Sequence, residues 1–62
     1  MLTPREMEIL RLIAQGLPNK VIASELGTAE QTVKNQVSTI LSKLGAGNRV
    51  GAVRVAKERG LL

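Results

Sequence analysis

The residues best suited to bind a ligand lie between positions 29 and 44, in a stretch with regular helical spacing. Four of them place an ammonium, two amides and a hydroxyl on one side of a predicted helix: Gln31, Lys34, Asn35 and Ser38. Asparagine can pair with adenine in the major groove of DNA, and serine can hydrogen-bond to several bases. The types and spacing of Lys34, Asn35 and Ser38 therefore favour base recognition over catalysis.

The composition lacks the residues on which most enzymes and metal sites rely. The chain contains no histidine, cysteine or aspartate, which removes the usual general base, the thiol nucleophile and most zinc ligands. Glu6 and Glu30 could be taken for paired carboxylates, but each falls in the first turn of a predicted helix, where a negative charge complements the helix dipole. Glu6 could also pair with Lys20 or Arg49. We therefore predict no enzymatic activity, no cofactor, no metal and no small-molecule ligand.

The charge distribution indicates a polyanionic partner. The 62 residues carry nine basic and five acidic side chains, a net charge of +4. Residues 1–27 hold three of each, whereas residues 28–62 hold six basic and two acidic ones. Phe, Tyr and Trp are absent, so single-stranded nucleic acid has no ring on which to stack. Double-stranded DNA fits both observations. No apolar run approaches the roughly 20 residues of a membrane span, so no membrane association is expected.

Hydrophobic periodicity predicts an all-α fold of four helices, with approximate bounds 4–15, 19–26, 29–44 and 49–59. A short second helix joined by a tight turn to a longer third helix is the helix-turn-helix arrangement, in which the longer helix enters the major groove. The first and fourth helices are expected to complete the core. The third helix has the clearest apolar stripe, which consists of Val33, Val37, Ile40, Leu41 and Leu44.

Capping residues set the predicted helix boundaries. Thr3 and Glu6 have the spacing of a capping box at the start of the first helix. Asn19 is predicted to cap the second helix and Asn48 the fourth. Glycines are predicted to follow the ends of the first three helices, at Gly16, Gly27 and Gly45.

Six further residues are predicted to contact the DNA backbone: Asn19, Lys20, Gln31, Thr32, Lys43 and Arg49. The first two lie at the start of the second helix, where free N–H groups and the helix dipole favour a phosphate. The next two lie in the first turn of the third helix. The last two flank the turn into the fourth helix, and their basic side chains suit phosphates.

The fourth helix carries a second apolar edge. Val50 and Val53 are spaced i, i+3, while Ala52 and Ala56 are already expected to face the core. A second apolar edge on a small helix indicates a partner surface. The alternative is a scatter of surface valines, which is common in proteins.

These segments together resemble the DNA-binding domain of the LuxR family, also called the GerE or NarL type. The resemblance covers nearly the whole chain and depends on the order of short motifs: Leu2-Thr3-Pro4-Arg5-Glu6, Ile13-Ala14-Gln15-Gly16-Leu17, Asn19-Lys20, Thr32-Val33-Lys34, Lys43-Leu44-Gly45 and Asn48-Arg49. It implies a single domain over residues 1–62, the C-terminal output domain of a larger response regulator in a two-component system, working in the bacterial cytoplasm.

The resemblance also implies partners and residue roles. Lys34 matches a position that the family's recognition helix uses for DNA. The fourth helix often forms a two-fold contact in the family, which implies a homodimer through Val50, Val53 and Arg54. RNA polymerase is a further candidate partner of such a transcription regulator.

Three positions depart from the family pattern. Ala29 stands where serine or threonine commonly caps the third helix. Either Thr28 caps one residue early, in a capping box with Gln31, or the first turn is looser. Gln36 replaces a common histidine, and Pro18 replaces a frequent serine.

Two other functions stay open on sequence alone. Sigma-factor region 4 shares part of the motif pattern and also reads DNA, but it would follow a polymerase-binding region. A protein-interaction module would use the apolar edge of helix 49–59 and cover the third helix with a partner helix. Binding by such a module would depend on Val50 and Val53 and not on Lys34.

Overall fold

Four helices joined by short loops make up the fold of residues 1–62, all of which a computed structural model describes. They are α1 (Pro4–Ala14), α2 (Asn19–Leu26), α3 (Glu30–Leu44) and α4 (Arg49–Glu58). The predicted all-α, four-helix fold is confirmed. Three predicted ranges were one residue too long, because Gln15, Ala29 and Arg59 are caps outside the helices. None of the helices has the length and hydropathy needed to cross a membrane.

The core is aliphatic and draws on all four helices. α3 contributes four buried residues along one stripe, and Leu41 lies half-buried at its edge. α1 and α3 each pack against the three other helices, whereas α2 and α4 do not pack on each other. Eleven residues form the buried cluster: Ile9, Leu10, Ile13, Ile22, Ala23, Val33, Val37, Ile40, Leu44, Ala52 and Ala56.

The predicted glycines end their helices as expected. Gly27 and Gly45 both adopt left-handed backbone conformations, with φ of 67° and 66°. After Gly27 the N–H of Thr28 reaches back to the carbonyl of Ala23 at 3.0 Å, which closes the end of α2. Because a side chain at positive φ is strained, glycine is the residue that lets α2 turn into α3 within three residues.

The flanking helices α1 and α4 begin with side-chain caps. Thr3 Oγ1 accepts from the backbone N–H of Glu6 at 3.1 Å, and Glu6 Oε1 accepts from that of Thr3 at 2.8 Å, so the predicted capping box is confirmed. Asn48 Oδ1 accepts from the N–H of Gly51 at 2.7 Å, which confirms the predicted cap of α4. Both helices therefore satisfy part of their free N–H groups internally.

The two helices of the helix-turn-helix begin without a side-chain cap. Asn19 was wrongly predicted to cap α2, since Pro18 occupies that position with the extended backbone of a cap and has no side-chain acceptor. The carbonyl of Pro18 accepts from the N–H of Ile22, so Asn19 is already the first helical residue. α3 begins after Ala29, and Thr28 does not cap in its place.

Glu6 is the only buried charged residue, and its partner differs from the prediction. Neither Lys20 nor Arg49 contacts it; instead Lys43 Nζ lies 2.8 Å from Glu6 Oε1. The prediction was wrong because Glu6 sits at the start of α1, against the end of α3, where Lys43 is located. The hydrogen bond from Lys43, followed by that from the N–H of Thr3, lowers the pKa of the Glu6 carboxyl below its ordinary 4.5.

Glu6→Gln should destabilise the domain at neutral pH, and the loss should shrink in acid. Because the folded pKa of Glu6 is lowered, its contribution is complete above the ordinary value of 4.5 and is lost as pH falls through the folded pKa. Glutamine keeps the capping hydrogen bond, so the variant isolates the charge. Thermal unfolding across this pH range measures the effect, with Glu8→Gln, in the exposed pair with Arg5, as the control. Equal pH profiles for the two variants would contradict the assignment.

Ala29→Ser should stabilise the domain by about 1 kcal/mol, because its hydroxyl can accept a free N–H in the first turn of α3. For a domain of this size, that corresponds to a rise in Tm of roughly 4–8 °C. Ala14→Ser, at the exposed end of α1, introduces the same hydroxyl without a free N–H to accept and serves as the control. An unchanged Tm for Ala29→Ser would show that the start of α3 gains nothing from a cap.

Candidate nucleic-acid interface

α3 presents an exposed polar line on the side opposite its buried stripe. Gln31, Asn35, Ser38 and Ser42 follow one another at i, i+4, i+7 and i+11, and all four are exposed. The helical period places this line on the far side from the core. Lys34 is exposed beside it. The three predicted base-contacting residues thus share one accessible surface, and the same spacing in the sequence could have added Ser42 to it.

Hydrogen bonds within this surface organise part of it. Gln31 Nε2 donates to Asn35 Oδ1 at 3.0 Å, and Thr39 Oγ1 donates to the backbone carbonyl of Asn35 at 3.1 Å. Lys34 Nζ lies 3.9 Å from a carboxylate oxygen of Glu30, in a pair that is about half exposed. Such an exposed pair contributes little, so Lys34 can leave Glu30 for another anion at small cost.

The start of α3 offers free backbone donors beside the polar line. The N–H groups of Glu30, Gln31 and Thr32 have no acceptor within the chain, because the methyl side chain of Ala29 cannot accept a hydrogen bond. Free N–H groups and the helix dipole together favour an anion at a helix start. Gln31 and Thr32, which the sequence predicts to contact phosphates, are exposed there.

The start of α2 likewise lacks a side-chain cap. Lys20, the second residue of α2, is exposed. Asn19 is half-buried, and its Oδ1 accepts from the guanidinium of Arg49. Lys20 and the free N–H groups are therefore accessible to an anion, whereas the oxygen of Asn19 is already engaged.

Arg49 and Lys43 make long-range contacts that the sequence did not predict. Arg49 donates to Asn19 Oδ1 and, at 2.6 Å, to the carbonyl of Leu17. It therefore joins the start of α4 to the start of α2, two helices that do not otherwise pack together. Lys43 bridges to Glu6 and keeps about a third of its side chain exposed. No local pattern could reveal these partners, which lie 30 or more residues away.

The residues predicted for the partner surface lie together on the outer side of α4. Val50 is 80% exposed, Arg54 is exposed, and Val53 is half-buried against the core. All three line a groove of about 710 Å³ between α4 and the end of α1. The rest of the chain leaves the side chain of Val50 in solvent, so it is available to another molecule.

Comparisons with known proteins agree with this architecture. The profile described as bacterial regulatory proteins, luxR family, matches residues 1–56. The nitrate/nitrite response regulator NarL of Escherichia coli K12 is 56% identical over 59 residues, which cover 94% of this chain and 27% of that protein. The response regulator VraR of Staphylococcus aureus NCTC 8325 is 52% identical over 62 residues, covering 100% of this chain and 30% of VraR.

A solved structure extends the likeness to three dimensions. The crystal structure of the response regulator ChrA, from a heme-sensing two-component system, superposes with a TM-score of 0.96. It is 42% identical and covers 100% of this chain and 31% of that one. The chain thus spans less than a third of the length of these relatives, each of which is named a response regulator. The matched profile, the relatives and the four-helix structure show that the chain belongs to the luxR family of bacterial regulatory proteins.

Proposed function

We propose that the domain recognises a specific sequence of double-stranded DNA by placing α3 in the major groove. DNA-binding transcription regulation is the function of this family's helix-turn-helix domain, and the exposed polar line of α3 supports the assignment of α3 as the reading element. A helix fits the major groove, about 12 Å wide, with its side chains against base edges. Burial of the opposite stripe leaves this face of α3 open to solvent.

Lys34, Asn35 and Ser38 read the bases in this proposal. Lys34 can donate to the acceptor atoms of guanine. The Asn35 amide can hydrogen-bond to the edge of a purine, and the Ser38 hydroxyl can donate or accept. All three are exposed, and they lie within the first nine residues of α3. Their chemistry is complementary to base edges, which offer both acceptors and donors in the major groove.

The starts of α2 and α3 hold the phosphates that fix the register. Lys20 supplies a charge at α2, and the free N–H groups near Gln31 and Thr32 supply donors at α3. Phosphate contacts of this kind position a protein on the duplex without reading its sequence. Asn19 contributes through its backbone N–H and unused amide protons, since its oxygen is bound to Arg49.

Lys43 and Arg49 combine a structural role with a proposed phosphate contact. A guanidinium has five N–H donors, so Arg49 retains donors beyond those used by Asn19 and Leu17. An ammonium has three, and Lys43 remains partly exposed beside Glu6. Each residue can therefore bind a phosphate without abandoning its internal partner.

Two copies are proposed to bind paired half-sites through Val50, Val53 and Arg54. Half-sites of paired helix-turn-helix domains lie about 34 Å apart, one turn of DNA. The Cα extents of the domain are 29 × 20 × 19 Å, and side chains add to them, so neighbouring copies at this spacing can touch. The apolar patch is small, so DNA should promote the contact.

The domain is proposed to be the output part of a larger response regulator in the bacterial cytoplasm. The relatives extend well beyond the matched segment and are named response regulators. Regulation by a preceding domain and contact with RNA polymerase belong to that larger protein.

Lys34→Ala should weaken binding to the preferred site by about 1–3 kcal/mol, because it removes a base contact at one position. The site is first identified by selection from random duplexes, and affinities are then measured over a salt series. Lys57→Ala removes the same charge from an exposed position on α4 and should have a much smaller effect. If both variants lose affinity equally on specific and random DNA, attraction between charges explains the binding and base reading by Lys34 is refuted.

Val50→Asp should weaken binding to paired half-sites and leave binding to a single half-site nearly unchanged. The side chain is 80% exposed, so aspartate does not disturb the core, but it places a charge in the proposed contact between copies. Titration of the same variant on both duplexes provides the internal control. Equal losses on the two duplexes would place Val50 outside any contact between copies.

A further inference from the structure

One side-chain hydrogen bond lies on the polar line of α3, and it joins Gln31 to Asn35. Gln31 Nε2 donates to Asn35 Oδ1 at 3.0 Å across one helical turn. Glutamine followed by asparagine at i+4 is a pairing that stabilises helices. The bond engages the amide oxygen of Asn35 and leaves both Nδ2 protons without a partner.

Gln31 alone orients this amide. On the other side of Asn35, Thr39 Oγ1 donates to the Asn35 backbone carbonyl and does not contact its side chain. Ser38 and Ser42 make no hydrogen bond to Asn35. The direction in which the Asn35 amide points into the solvent is therefore set by one contact from the preceding turn.

We infer that Gln31 is a positioning residue that determines which bases Asn35 reads; the inference rests on the proposed reading of DNA by α3. A free asparagine pairs with adenine by donating from Nδ2 and accepting at Oδ1. Gln31 occupies one of the two acceptor sites of Oδ1, whereas both Nδ2 protons are free, so Asn35 meets the groove chiefly as a donor. Guanine offers two acceptors, N7 and O6, whereas cytosine offers an amino donor. The Gln31–Asn35 pair therefore favours guanine over cytosine.

The neighbouring side chains reinforce this donor character. Lys34 adds an ammonium beside Asn35, and the only carboxylate in the first turn, Glu30, is paired with it. Ser38 adds a hydroxyl whose proton is free. A surface rich in donors is complementary to the acceptor-rich edge of guanine, and water is excluded when it docks, which strengthens each hydrogen bond.

The test replaces Gln31 and follows base preference, which a merely structural role would not change. Gln31→Glu has only acceptors, so the Asn35 amide should turn its Nδ2 toward Glu and present Oδ1 to the DNA. Selection from random duplexes should then show the contacted position changing from guanine to cytosine or adenine, by roughly 2- to 10-fold in relative affinity, the factor that one side-chain hydrogen bond supplies. Gln31→Ala should move the preference toward adenine.

Ser42→Glu is the matched control, because it adds the same charge to the same line without reaching Asn35. It should lower affinity while the preferred base stays the same. If the Gln31 variants lose affinity for every base alike and keep the wild-type preference, Gln31 contacts only the backbone and the inference is overturned. An unchanged preference in Asn35→Ala overturns it as well, while DNA reading by the domain stands.

A measurement on the free protein separates this inference from the proposed function. Side-chain couplings in NMR should report a single χ1 conformer for Asn35 in the wild type and averaging in Gln31→Ala. The same Asn35 behaviour in both proteins, whether averaged or single, overturns the positioning role without reference to DNA. Absence of any selective binding by the wild-type domain would instead refute the proposed function, and the inference with it.

Discussion

Burial of the aliphatic stripe of α3 is the constraint on which the rest of the structure depends. The chain has no aromatic ring, so its core consists of eleven small and aliphatic side chains, four of them on α3. α1, α2 and α4 each pack against α3. Because the stripe can face only inward, the rotation of α3 about its axis is fixed. The same rotation turns Gln31, Asn35 and Ser38 outward, so the proposed reading surface is a direct consequence of the core.

The four helices are of two kinds, which differ in whether a side chain caps the start of the helix. α1 and α4, which flank the helix-turn-helix, each have one first-turn N–H group accepted by a cap side chain, Thr3 and Asn48 respectively. α2 and α3 leave these groups open after Pro18 and Ala29. A missing cap costs about 1 kcal/mol of stability. In the proposed complex, phosphates supply the missing acceptors, so part of the stability that the free domain lacks is regained on DNA.

The sequence predicted local features well and long-range contacts poorly. The stripe of α3, the capping box of Thr3 and the ends at Gly27 and Gly45 depend on residues within a few positions of each other, and all were confirmed. The partner of Glu6 was wrong because choosing Lys43 requires knowing that the start of α1 meets the end of α3. Pro18, and not Asn19, is the N-cap of α2, because the extended backbone of Pro18 sets where the helix begins and no acceptor side chain is used.

Arg49 connects two parts of the proposed mechanism that packing alone leaves separate. α2 and α4 do not pack together, yet Arg49, the first residue of α4, holds Asn19 at the start of α2. The next residue, Val50, is the more exposed of the two valines on the proposed surface between copies. A contact at Val50 thus lies one residue from the hydrogen bonds that position the start of α2, which is proposed to bind phosphate. Pairing of two copies and placement of α2 on the DNA backbone therefore act on the same short segment.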